Sequence, residues 1–281
     1  MATLQERQEV LRTNLEKLED EVQRAACPIY GIKTSEGVLV GSGFLLHIAE
    51  DLLLVTAAHV LEWRRTHALH LPGDKVLVPL GGQVLTTTTY DKDGKPDFGY
   101  DIGCVVLKTP TTVPGCTVLS PASLDVDDLP ARQTMYGFTG FPETQNRAKP
   151  GRKFQQSSVI YGAIPGKSEL YKSLGFHPIT HFIVEFEREK VISRERKIIT
   201  GPKPNGISGG PVWRLGHFAQ IERGAAIPRV IGIGIEWHQK EKCLVGVRMS
   251  LVIGAIAGSF SKYQTLLPSA ARLRVNATVR E

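Results

Sequence analysis

The stretch 204-PNGISGGPVW-213 sets one serine, Ser208, among glycines and prolines and then runs into an apolar, strand-like segment. Glycine at 206 frees the backbone to turn its N–H into a cleft beside the N–H of Ser208. Gly209 and Gly210 permit a tight turn and a close backbone approach that a side chain would block. A plain loop would use the same residues. Segments elsewhere in the chain decide between the two.

Two of them supply the deciding residues. In 55-VTAAHVLEW-63 an apolar run ends in two alanines that leave room beside the imidazole of His59. In 100-YDIGCVVL-107 a single carboxylate, Asp101, stands at the head of an otherwise apolar strand, where partial burial is costly unless it has a partner. A serine hydroxyl is a poor nucleophile at neutral pH. It needs a base within hydrogen-bond reach, and the base needs a third group to hold its tautomer. His59 is the candidate base, Asp101 the orienting acid and Ser208 the nucleophile. The N–H groups of Gly206 and Ser208 are the candidate oxyanion donors. Any one piece alone reads equally well as a loop, a strand end or a capped turn.

The rest of the chain sets the frame. It has 281 residues, 42% hydrophobic and 22% charged, with a net charge of +6. That is an ordinary globular composition. The mild charge has no dense basic stripe with interleaved aromatics, which argues against nucleic-acid binding. No apolar run approaches the ~20 residues of a membrane span, and the charged N-terminus lacks a secretory pattern. Cys27, Cys104, Cys116 and Cys243 are scattered without a CxxC pair. A cytoplasmic protein with reduced thiols is expected.

Leu4, Leu11, Leu15, Leu18 and Val22 form one stripe, predicting an amphipathic helix within residues 1–27. It either packs on the protein's own body or serves self-association or a regulatory partner. From Pro28 onward short β-branched runs alternate with Gly, Pro, Asp and Asn turns, among them 37-GVLVGSGFLLHI-48, 52-LLLVTAAHV-60, 181-HFIVEFE-187 and 229-RVIGIGIEW-237. At least ten such runs predict an all-β body, a sandwich or barrels. Pro121–Pro130 is the expected divide between a first unit, 28–120, and a second, 121–258. A short helix is expected near 250–258, followed by an uninformative tail, 259–281.

Histidine in T-A-A-H, aspartate heading an apolar strand, then G-x-S-G-G-P, in that order, resembles the trypsin/chymotrypsin-like serine peptidase superfamily. The stretch 41-GSGFLL-46 is similar to the strand before the histidine in bacterial HtrA/Deg-type peptidases. The resemblance spans about residues 28–255 and implies two six-stranded antiparallel barrels with the site between them. His59 and Asp101 would come from the first and Ser208 from the second. It implies a serine endopeptidase without PDZ extension, needing no cofactor, acting on a protein or peptide substrate. The substrate backbone would pair with 231-IGIGIEW-237, and the side-chain pocket would be lined by Pro202, Gly232, Ile233 and Gly234. Pro202, six residues before the serine, carries no charge, so an uncharged side chain is expected there. Ile207 replaces the aspartate that precedes the serine in digestive members, which argues against their activation by cleavage. The alternative is a catalytically silent module of the same fold that binds extended peptides or partners.

Histidines 67 and 70, or 177 and 181, lack a third ligand in any metal motif. In 91-DKDGKPD-97 Lys95 and the placement of Gly94 break the calcium-loop pattern. No metal site is expected. The basic run 188-REKVISRERKIITGPK-203 reads as a solvated loop.

Overall fold

In a computed structural model, residues 3–34, 36–74, 76–87, 89–90, 96–97, 100–109, 112–127, 131, 133–146, 156–193, 197–268 and 277–280 are described. Residues 91–95 of the calcium-loop-like stretch and the middle of the basic run, 194–196, lie outside them. After helix α1 (Leu4–Gln23) come β1 (Ala26–Lys33), β2 (Glu36–Ile48) and β3 (Asp51–Thr56). Next are α2 (Ala58–Glu62), β4 (Ala68–Pro72), β5 (Leu77–Pro79), β6 (Gly82–Thr86), β7 (Thr89–Tyr90), β8 (Pro96–Asp97) and β9 (Gly103–Leu107). The second half holds β10 (Thr134–Gly140), β11 (Val159–Pro165), α3 (Ser168–Leu174), β12 (His181–Glu185), β13 (Val191–Ile192) and β14 (Ile198–Ile199). It continues with β15 (Pro211–His217), α4 (Phe218–Glu222), β16 (Arg229–His238), β17 (Cys243–Arg248), α5 (Met249–Ser259) and β18 (Thr278–Arg280).

The first half is an eight-stranded antiparallel sheet in the order β18-β6-β9-β3-β2-β1-β4-β5, curled into a half-barrel. The second is a closed six-stranded barrel, β10-β11-β12-β17-β16-β15. The chain is thus mostly β, with an N-terminal helix and a short C-terminal one. At the centre of the first sheet Phe44, Leu45, Leu46, Leu53, Leu54 and Val55 are all fully buried, so both faces of β2 and β3 are covered. That is why these strands read as continuous apolar runs rather than alternating ones.

The expected linker stitches the two halves together. Just before it the His47 N–H donates to the Leu119 carbonyl (2.8 Å), and within it the Asp125 N–H donates to the Val230 carbonyl (2.8 Å). Arg214 pairs with Asp125 at 2.5 Å. Residues 119–125 therefore touch β2 and then β16. The C-terminal stretch adds β18 to β6 of the first sheet. α5 is apolar nearly all round, with Leu251, Val252, Ile253, Ala255 and Ile256 buried.

α1 begins with a capping box. The Glu6 N–H donates to the Thr3 hydroxyl (3.2 Å), and the Thr3 N–H donates to the Glu6 carboxylate (2.7 Å). Its body lies along α4. Leu18 and Val22 are buried, and the Asn14 side chain donates to the carbonyls of Ile221 (3.0 Å) and Glu222 (3.2 Å). Arg7 meets Glu222 at 2.5 Å, but its side chain is 60% exposed. Exposed ion pairs contribute at most ~1 kcal/mol, whereas burying a leucine contributes ~2 kcal/mol or more. Apolar packing therefore holds this helix. Leu18→Ala should lower unfolding free energy by about 2–3 kcal/mol in a denaturant titration, and Arg7→Ala by less than about 1 kcal/mol.

Candidate active site

β3 ends at Thr56 and the chain turns into α2, whose first turn carries His59. A Cβ on Gly103 would come within 2.8 Å of Leu61 Cδ1 and 2.9 Å of the Ala57 carbonyl. Glycine there lets α2 lie directly on the start of β9. His59 is thereby set against Asp101. The His59 backbone N–H donates to Asp101 Oδ1 (2.8 Å), and the His59 Nδ1–H donates to Asp101 Oδ2. The Asp101 side chain is 3% exposed and that of His59 35%. Thr87 brackets the carboxylate. Its hydroxyl donates to the Tyr100 carbonyl, and the Ile102 N–H donates back to that hydroxyl at 2.9 Å.

Two opposed effects act on His59. Burial pulls its pKa down. The hydrogen bond and charge of Asp101, with the charge of Glu236, outweigh burial and hold it above its ordinary value of 6.5. With Nδ1–H committed to Asp101, Nε2 is the nitrogen left to accept a proton.

The glycine stretch is held almost atom by atom. The Ile207 N–H donates to the Pro204 carbonyl (3.1 Å), the Glu143 N–H to Asn205 (2.8 Å) and the Gly210 N–H to Ile207 (2.9 Å). The Ser42 hydroxyl donates to the Gly206 carbonyl (2.7 Å) and the Ser42 N–H to the Ser208 carbonyl (2.8 Å). Gly206 has φ +94° and Gly209 φ +84°, the region that favours glycine. A Cβ on Gly209 would collide with the Thr56 hydroxyl and the Ser42 carbonyl. The residue after Ser208 thus packs on the strand end that leads to His59. Among the described residues the N–H groups of Gly206 and Ser208 have no partner.

The Ser208 hydroxyl donates to the Ile235 carbonyl at 3.2 Å. No hydrogen bond joins it to His59. The structure therefore brings His59 and Asp101 into contact, and sets Ser208 nearby on a different partner.

A cavity of about 180 Å³ opens beside Ser208, lined by Phe138, Pro204, Asn205, Ile207, Glu236 and Trp237, with Gly234 and Ile235. Glu236 is tied back to His238 Nε2 at 2.6 Å. Of the expected pocket residues, Gly234 lines this cavity. Pro202 does not; its carbonyl accepts from the Tyr161 hydroxyl at 3.2 Å. Gly232 and Ile233 are held inside β16, Gly232 pairing with Val212 and Arg248, and Ile233 fully buried in the core. The cavity thus begins two residues further along β16 than expected, at Gly234. Pairing of β16 with β15 stops at Ile233, whereas pairing with β17 continues to His238. Among the described residues, one edge of 235–237 is therefore without a strand neighbour.

Ser42, Thr87 and Phe138 were not singled out in the sequence. The only local signal for Ser42 is its place in G-S-G-F. Thr87 lies in a run of four threonines, and Phe138 sits in a glycine-containing strand without a clear pattern. Among the described residues no three His, Cys, Asp or Glu side chains cluster as a metal site, and no helix is long and apolar enough to cross a membrane. All four cysteines are free.

Compared with known proteins, the sequence matches no family model and no curated protein. The reading of the site therefore rests on its geometry.

A histidine pKa raised by folding stabilises the native state below pH 6.5, and that contribution fades as pH rises through the folded-state value. Asp101→Asn should move the His59 titration, followed by imidazole NMR, to lower pH than in the wild type. An unmoved titration would mean that the carboxylate does not act on the imidazole.

Proposed function

We propose that the chain is a trypsin-like serine endopeptidase whose site lies between the half-barrel and the barrel. One observation carries this reading. A buried carboxylate fixes the tautomer of a half-exposed imidazole, beside a glycine loop that carries a serine and two unclaimed N–H groups.

The chemistry follows from these atoms. Ser208 turns about its χ1 bond away from the Ile235 carbonyl, a rotamer change that side chains make in picoseconds to nanoseconds. The single hydrogen bond it leaves contributes only about 1 kcal/mol. Oγ attacks a peptide carbonyl while His59 Nε2 takes its proton. Asp101 stabilises the resulting imidazolium. The oxyanion is received by the N–H groups of Gly206 and Ser208, an arrangement in which losing one donor typically costs about 10²–10³ in turnover. His59 then protonates the leaving amine, and water, activated by the same nitrogen, releases the acyl group. The unpaired edge at 235–237 is suited to receive the substrate as an added strand. We assign α1 a packing role, because its buried apolar residues lie against the chain's own body.

The second reading, a silent peptide-binding module, is favoured by the Ser208–Ile235 hydrogen bond, which takes the hydroxyl away from the imidazole. A fluorophosphonate probe separates the two. The peptidase reading expects labelling of the folded wild type that disappears in Ser208→Ala. No labelling, in pure protein and in lysate of the native host, would support the silent module.

The cavity holds the volume of about six waters, and its one carboxylate already has a partner in His238. It suits a mid-sized uncharged side chain on the acyl side of the scissile bond. A peptide-library cleavage profile should favour such residues over Arg and Lys by at least tenfold; a dominant Arg or Lys preference would reject this pocket assignment.

A further inference from the structure

Each flank of Gly206 is pinned by a different element. The Asn205–Gly206 peptide is trans, so holding its carbonyl on the Glu143 N–H (2.8 Å) turns the Gly206 N–H the opposite way. The next peptide unit has its carbonyl on the Ser42 hydroxyl at 2.7 Å. Ser42 is fully buried and its hydroxyl both donates and accepts, since it also takes the Phe141 N–H at 2.9 Å. Its N–H holds the Ser208 carbonyl (2.8 Å), and its own carbonyl accepts the Thr56 hydroxyl (2.6 Å). The close fit leaves no slack: a Cβ on Gly140 would come within 2.9 Å of the Ser42 hydroxyl.

A glycine at φ +94° has wide backbone freedom, and nothing in its own side chain keeps its N–H aimed. We infer that Ser42, a residue of the half-barrel, is a positioning residue for the oxyanion donors of the barrel: Glu143 holds the peptide unit that carries the Gly206 N–H, and Ser42 pins the next carbonyl with its hydroxyl and the Ser208 carbonyl with its N–H. The inference rests on the peptidase reading for its catalytic consequence, and on the hydrogen bonds alone for its structural one. Ser42 touches no substrate atom. Its contribution is made through Gly206, so it should appear where charge develops on the carbonyl oxygen and vanish where substrate is merely bound.

The test compares Ser42→Ala with wild type in three readouts. In peptide hydrolysis, kcat should fall roughly 10–100-fold with KM unchanged within about twofold, because a misaimed donor acts only in the transition state. Affinity for a peptidyl boronic acid, whose serine adduct carries the tetrahedral oxygen, should fall by the same factor as kcat/KM, and affinity for the product peptide should hold. In amide NMR, Gly206 and Ser208 should show new microsecond–millisecond exchange broadening. If Ser42→Ala does not fold, Ser42→Cys keeps the size and a weak S–H donor and should give intermediate values. A variant that lowers only the melting temperature, leaving kcat, boronate affinity and the two amides as in wild type, overturns the assignment. Wild type that neither cleaves nor binds the boronic acid sinks the peptidase reading instead. The amide readout then still decides whether Ser42 holds the loop.

Discussion

Asp101 is the constraint around which the site is built. A carboxylate with 3% of its side chain exposed is costly to bury without partners. Both of its oxygens find theirs in one residue, His59, through the backbone N–H and the ring Nδ1–H. This pair ties the start of β9 to the first turn of α2, and so to the end of β3. Gly103 is needed because any side chain there would lift α2 away from that strand. Thr87 is needed to hold the backbone on either side of the carboxylate. Fold and site share these contacts, so a change that frees the carboxylate disturbs both.

The second constraint runs between the two halves. The half-barrel meets the barrel through Ser42, whose hydrogen bonds reach residues more than 160 positions away. Candidate catalytic groups drawn from two sheets can act together only if their relative placement is fixed closely. Backbone and hydroxyl hydrogen bonds provide that fixing better than apolar contacts, because they are directional. The arrangement also explains why so many glycines crowd the stretch around Ser208. The loop has to pass within contact distance of Thr56, Ala57 and Ser42, where a Cβ has no room.

Much of this was legible in the sequence, for physical reasons. β2, β3 and β16 are long apolar runs bounded by turn residues, and α1 shows its apolar stripe. The candidate triad residues announce themselves because each is chemically out of place: a lone acid before an apolar strand, a histidine after two alanines, a serine among glycines. Other features leave no local trace. The run 52–60 reads as one strand, yet it breaks at Thr56 because Ala58–Glu62 is wound into a turn of helix against β9. β10, with two glycines in Thr134–Gly140, is a weak strand former by itself and is made a strand by its neighbours β11 and β15. The first sheet gains its eighth strand from the tail. The lining of the cavity starts two residues further along β16 than expected, because register depends on pairing between distant strands. The role of Ser42 was invisible for the same reason.

The central claim is that Ser208, His59 and the two loop amides act on one reacting carbonyl. The most direct measurement is a crystal structure of the protein treated with a peptidyl phosphonate, a stable tetrahedral anion. The account predicts phosphorus bonded to Ser208 Oγ, one phosphoryl oxygen about 2.7–3.1 Å from the N–H groups of both Gly206 and Ser208, and His59 Nε2 facing the adduct. An unmodified Ser208 still bonded to the Ile235 carbonyl, or an adduct whose oxygens point away from both amides, would contradict it.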